Sequence, residues 1–185
     1  MKFIGLKKVM DGKFIKRFDL EYETELGNKK IYEMISRKDI KSYEDLISSG
    51  SEAVVLIMHD ENNEKILLSK EFRMAVGSFV YNFPAGLIDA GETPEVAAAR
   101  ELKEETGLDL ISIDEVWPES YSAVGLANEK TSVIVGKAKG EFAPSTSDEE
   151  EIEASWYTKS EILELIKTGN FAARTQAYCI MWAKQ

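Results

Sequence analysis

Alternation of apolar and polar residues divides the chain into short segments separated by turn sequences. Phe14 to Tyr22 and Lys30 to Arg37 alternate, and Leu26-Gly27-Asn28-Lys29 between them reads as a turn, so a β-hairpin is expected. A lone hairpin is marginal and must pack on its own domain or on a second subunit. Residues 38 to 50 are polar, with Ser42 placed to cap a short helical turn. They mark a boundary between an N-terminal β-rich segment, 1–48, and a domain spanning 49–185. Ala53 to His59 is an unbroken apolar run ended by Asp60-Glu61-Asn62-Asn63, which predicts a strand buried on both faces. A second strand follows from Lys65 to Lys70. Glu71 to Tyr81, carrying Arg73 and Gly77, predicts a loop leading into a short strand through Val80, Tyr81 and Asn82, and Pro84-Ala85-Gly86 breaks regular structure.

The next helix announces both its ends. Thr93 is the N-cap, Pro94 occupies the first helical position, Glu95 lies in the first turn and Gly107 stands just past the end. On a wheel, Val96, Ala98, Ala99, Leu102 and Thr106 form an apolar side, and Glu101, Glu104 and Glu105 fall roughly opposite within an arc of about 100°. Leu110 to Trp117 and Thr131 to Lys139 predict strands joined by the loop Pro118 to Lys130. The acidic run Asp148-Glu149-Glu150-Glu151 precedes a strand from Ile152 to Tyr157. Two helices, Ser160 to Thr168 and Arg174 to Lys184, complete a mixed-sheet α/β domain.

Composition narrows the chemistry. No aliphatic run is long enough to span a bilayer, and lysines interrupt the apolar residues of the N-terminus without a cleavage pattern, so a cytoplasmic protein is expected. The single cysteine, Cys179, lies in an apolar run and reads as a buried, inert thiol. The only histidine, His59, ends a strand, which excludes multi-histidine metal sites. A net charge of −10 provides no basic stripe for nucleic acid. If the ligand carries phosphate, metal ions must supply much of the positive charge.

Crowded glutamates on one helix face repel one another, so they are either solvated or share a cation. A hard divalent ion such as Mg²⁺ takes oxygen ligands from one or two carboxylates and from substrate phosphates, and helps water attack phosphorus. Glu101 and Glu105, four residues apart, can meet one ion, and Glu92 or Glu104 could serve a second. The competing reading is an ordinary solvated Glu/Lys face.

The whole arrangement favours the cation. Gly86, five residues, Glu92, seven residues, Arg100-Glu101-Leu102, one residue, Glu104-Glu105, one residue, Gly107-Leu108 resembles the Nudix box at its defining positions. That resemblance implies a Nudix hydrolase, an α/β/α sandwich with a mixed sheet, here preceded by a small N-terminal β-hairpin subdomain. It also implies Mg²⁺, with Mn²⁺ as a substitute, and cleavage of a nucleoside diphosphate linked to another group. By motif position Glu101 and Glu105 are the principal metal ligands, Glu104 and Glu92 assist, and Arg100, Gly86 and Gly107 give structural support.

The flanks, Lys70-Glu71-Phe72-Arg73 and Phe83-Pro84-Ala85-Gly86-Leu87-Ile88-Asp89, are similar to the ADP-ribose (ADP-sugar) pyrophosphatase branch. In that branch the main chain at Ala85 lies beside the metal, and the positions of Arg73 and Leu87 contact substrate. Ile31-Tyr32-Glu33 and Arg37 resemble the segment where an aromatic stacks on adenine, a glutamate accepts from the base and an arginine reaches phosphate, acting across a homodimer. Tyr32 is equally well read as a strand aromatic packed on the core. The acidic loop supplies a candidate base, Glu150, with Glu149 and Glu151 as neighbouring choices, set against a merely solvated charge run.

One position departs from the branch: Val124, before Gly125, stands where a proline associated with ADP-ribose preference is usual. The reading is therefore hydrolysis of a small-molecule nucleoside diphosphate sugar, ADP-ribose to AMP and ribose 5-phosphate first. A dinucleotide or another NDP-sugar is the alternative substrate, and a non-catalytic nucleotide sensor the alternative function.

Overall fold

A computed structural model describes residues 1–48 and 50–185. Ser49, the first residue of the second expected domain, lies outside the described residues. By contacts the chain divides into two compact units, one formed by Met1–Glu52 with Glu119–Thr131, the other by Ala53–Pro118 with Ser132–Gln185.

The first unit carries a three-stranded antiparallel sheet, β1 (Lys2–Asp11), β2 (Lys16–Glu23) and β3 (Lys29–Ser36), in the order β1-β2-β3. β2 and β3 form the expected hairpin, turning through Gly27 in the left-handed region at φ 77°. β1 is an addition to the sequence reading. Phe18, Leu20, Met34 and Ile40 form this unit's core, with Phe3 and Leu6 of β1 packed against it. Ser42 caps α1 (Tyr43–Leu46) in a capping box with Asp45. Ile35 N–H donates to the Leu126 carbonyl at 2.9 Å, tying β3 to the segment 119–131.

The second unit is built on a seven-stranded mixed sheet. The order is β10 (Ile152–Thr158), β5 (Lys65–Arg73), β4 (Ala53–His59), β9 (Lys130–Lys139) and β8 (Asp109–Tyr121), with β6 (Ser78–Asn82) on β5 and β7 (Ala85–Leu87) on β4. β4 is buried along its whole length, as its apolar run requires. Val54, Leu56 and Met58 face α2 (Pro94–Thr106), while Val55 and Ile57 face α3 (Lys159–Leu165) and α4 (Ala173–Ala183). The α/β/α sandwich is the observed fold. Cys179 is buried in the α4 layer, its thiol pushed up to about 12 by burial. His59 ends β4 with its Nε2 3.5 Å from the Tyr178 hydroxyl, and burial lowers its pKa.

Several boundaries differ from the sequence reading. β5 continues through Glu71 to Arg73, so these residues are strand and not loop. Ala85–Leu87 pairs with Ala53–Val55 as β7, where a break is expected from Pro84 and Gly86. β8 runs past Pro118 to Tyr121, which its place at the end of the sheet order allows, because an edge strand can lose one backbone donor.

The face of α2 is also different. The caps are as expected, Thr93 accepting from Val96 N–H and Gly107 at φ 80°, but the buried residues are Ala97, Ala98, Leu102 and Thr106. Val96 is 55% exposed and Ala99 is exposed too. At about 100° per residue, Glu101 and Glu105 then project between Ala97 and Ala98, in the middle of the buried arc. The carboxylates do not oppose the core; two of them point into it.

The two assignments separate by mutation. Leu102→Ala should cost about 2–5 kcal/mol, because Leu102 is fully buried against β4. Val96→Ala should shift stability by no more than about 0.5 kcal/mol. Urea unfolding of the two variants checks both values.

Candidate active site

Gly86 is the floor on which the site rests. β7 brings its backbone beneath α2, and a Cβ at Gly86 would lie 1.9 Å from the Glu101 carboxyl carbon. Glu101 therefore occupies space that any side chain at position 86 would fill. The neighbouring Ala85 backbone hydrogen-bonds Glu105. Glycine at 86 and the short strand together let two helix carboxylates lie against the sheet.

Their environment opposes ionisation. Burial, followed by the negative charges of Glu101, Glu71 and Glu150, pushes Glu105 up to about 9. Glu101 is raised as well, chiefly by burial, although the Arg100 guanidinium works in the other direction. Glu150 is exposed on the loop before β10, yet its charge is felt by both glutamates.

Arg100 holds the outer half of the cluster. Its Nε and Nη2 grip Glu92 at 2.9 and 2.8 Å, Nη1 reaches Glu101 at 2.7 Å and Glu104 at 3.1 Å, and Nη2 also donates to the Leu87 carbonyl at 2.9 Å. Five contacts use the five donors a guanidinium has. The arginine beside Glu92 holds that carboxyl down to about 2. Glu92 also accepts from Asp89 N–H at 3.0 Å, closing the turn that enters the helix.

The structure thus brings Ala85, Gly86, Glu101, Glu105 and Glu150 together, and joins Leu87, Glu92 and Glu104 to them through Arg100. Gly107 lies at the far end of α2. Arg73, at the end of β5, is ion-paired with Glu71 and lines a cavity of about 570 Å³ with Asn82, Asn170 and Phe171. Tyr32, Glu33 and Arg37 belong to the first unit. There Tyr32 is not core-packed: it borders a cavity of about 310 Å³ with Tyr22, Tyr43 and Val124, and its hydroxyl donates to the Gly125 carbonyl at 2.6 Å. Glu33 pairs with Arg17 and Arg37 with Glu129. Glu71 is a site residue that sequence reasoning missed. Its only signal is a position two before Arg73, which puts both on one face of a strand.

Among the described residues no three acidic, histidine or cysteine side chains are gathered into a finished metal cage. Mutual repulsion extends further than ligation, so the carboxylates feel one another without meeting at a point. The donor set nevertheless fits a hard cation: oxygen ligands only, half-buried, and short of positive charge on the Glu105 side. Glu101 and Glu105 would hold the ion, the main chain at Ala85 lying beside them.

Residues 51–177 match the model of the NUDIX domain. The chain belongs to the NUDIX family. As a Nudix hydrolase it is 30% identical to the ADP-sugar pyrophosphatase of Mus musculus over 161 residues, 84% of this chain and 72% of that protein. It is 28% identical to the ADP-ribose pyrophosphatase of Bacillus subtilis over 184 residues, 98% of this chain and 91% of that one. A crystal structure of an ADP compounds hydrolase superposes with a TM-score of 0.73 at 18% identity, covering 99% of this chain and 91% of that chain, a likeness of fold. No helix among the described residues is long and apolar enough to cross a membrane.

The raised Glu105 pKa has a sign that can be measured. Without metal, the folded protein keeps a proton that the unfolded chain releases above about pH 4.3. The stability linked to that proton is complete below the unfolded value and is lost as pH rises towards about 9. In EDTA, the thermal midpoint of the wild type should therefore fall with rising pH more steeply than that of Glu105→Gln, whose amide does not titrate. Parallel slopes would contradict the assignment.

Proposed function

We propose that this Nudix hydrolase is a Mg²⁺-dependent pyrophosphatase that cleaves ADP-ribose to AMP and ribose 5-phosphate. The observation that carries the reading is similarity to the Bacillus subtilis ADP-ribose pyrophosphatase along 98% of the chain, the N-terminal segment included. Mg²⁺, or Mn²⁺ in its place, would supply positive charge against the diphosphate and lower the pKa of the attacking water.

The remaining roles belong to the chain. Arg73 takes a phosphate, for which its fixed charge and forked donors are suited. Leu87 borders the substrate, and Arg100 fixes Glu92, Glu101 and Glu104 as a unit. Glu150, exposed at the edge of the carboxylate cluster, accepts the proton of the attacking water. The water oxygen forms a new bond to one phosphorus, the bridging P–O bond breaks, and its electron pair leaves with the other phosphate. Residues 1–48 serve dimerisation and base binding and residues 49–185 the hydrolysis. Tyr32 at its cavity, with Glu33 on the same strand and Arg37 just past its end, supports the first part, as do the exposed apolar Ile4, Val9, Met10 and Phe14.

A panel of ADP-sugars, dinucleotides and nucleoside triphosphates, assayed with and without Mg²⁺, tests the reading. ADP-ribose should turn over only with metal, and Glu105→Gln should lower kcat by roughly 10³-fold. Brisk turnover of another class, with none of any ADP-sugar, would sink it. Wild type and Glu105→Gln that bind nucleotide equally and are equally inactive would favour a sensor.

A further inference from the structure

The last turn of α2 does more than end a helix. Its terminal carbonyls lack intrahelical partners, and two of them are taken by the loop that follows β9. Ala143 N–H donates to the Thr106 carbonyl at 3.0 Å and Thr146 N–H to the Glu104 carbonyl at 3.0 Å. The loop lies flush on the helix end: a Cβ at Gly107 would come 2.6 Å from Ala143 N, 2.7 Å from Ala143 Cβ and 3.0 Å from the Glu141 carbonyl oxygen. The left-handed backbone of Gly107, φ 80°, would tolerate asparagine; this contact would not. Beyond Thr146, the chain is pinned again where Phe72 N–H donates to the Glu151 carbonyl at 3.0 Å and Ile152 pairs with Glu71. Only residues 147 to 150 lie between the two anchors, and Glu150 is the last of them.

We propose that the C-terminal turn of α2 is the seat of the loop 140–151, and that Gly107 and the Thr146 amide are positioning residues for Glu150. This rests on the reading of Glu150 as the base. One helix then fixes both partners of the reaction: Glu101 and Glu105 by their side chains, the base by backbone bonds from its last turn. The helix-ending glycine is needed for the loop that crosses it as well as for its own conformation.

The test uses the full chain and three variants. Gly107→Asn keeps the left-handed conformation and adds the clashing Cβ; Thr146→Pro removes the second bond without touching the helix; Glu150→Gln removes the base. Hydrogen exchange of the wild type should find the Ala143 and Thr146 amides protected, whatever the substrate. The first two variants should lose protection from 140 to 151 while α2 stays protected. Their kcat for ADP-ribose should fall by about 10²-fold, with KM and Mg²⁺ affinity within about twofold of wild type and kcat climbing with alkaline pH as hydroxide replaces the activated water. Glu150→Gln should show the same profile. Unprotected amides in the wild type overturn the seat, and so does a displaced loop with wild-type kcat. Wild-type kcat in Glu150→Gln overturns the base reading and the catalytic role of the seat with it.

Discussion

Two glutamates, Glu101 and Glu105, stand on the side of α2 that packs against the sheet, where a helix ordinarily places apolar residues. Burial and like charge both disfavour ionising them, and the neighbouring structure answers that repulsion from one side only. Arg100 spends all its donors on Glu92, Glu101, Glu104 and the Leu87 carbonyl, so the outer carboxylates are neutralised in place. Among the described residues, no such cation acts on Glu105. Glu105 has a backbone hydrogen bond from Ala85 and negative neighbours in Glu71, Glu101 and Glu150. A half-buried carboxylate left without its counter-charge is costly, and groups perturbed in this way cluster at functional sites.

The fold serves that arrangement. β4, buried on both faces, fixes β7, and β7 presents a glycine where a side chain would displace Glu101. Ala97 and Ala98 bring α2 close to the sheet on either side of the two glutamates, and Leu102 and Thr106 seal the far side. β5 carries Glu71 and Arg73 to the same region and pairs with β10, whose preceding loop holds Glu150. One strand, the loop before another and one helix thus deliver acidic groups to one place while their apolar residues form the core.

Local signals were legible in the sequence, and contacts between distant segments were not. Thr93, Pro94 and Gly107 define α2 because capping depends on nearest neighbours, and the apolar run 53–59 defines β4 because burial on both faces leaves no polar position. The resemblance to the Nudix box implies the family and the fold, and the NUDIX domain match over residues 51–177 agrees with it. The face of α2 differs because Ala97 and Ala99 are the same residue and only the sheet decides which is covered, and because the sequence reading sets Glu101 and Glu105 opposite the apolar side when they share it. β7 escaped notice since three residues pair with β4 across thirty positions of sequence. β1 has lysines among its apolar residues and mostly exposed positions, so no clean alternation marks it. Glu71 gave no signal beyond its spacing from Arg73.

Burial and neighbouring negative charge keep Glu105 protonated near neutral pH in the metal-free protein. Calorimetric titration with Mn²⁺ near neutral pH, repeated in two buffers of different ionisation enthalpy, measures the protons released per ion bound. Release of about one proton by the wild type, and of almost none by Glu105→Gln, is the predicted result. Metal binding without proton release by the wild type would contradict it.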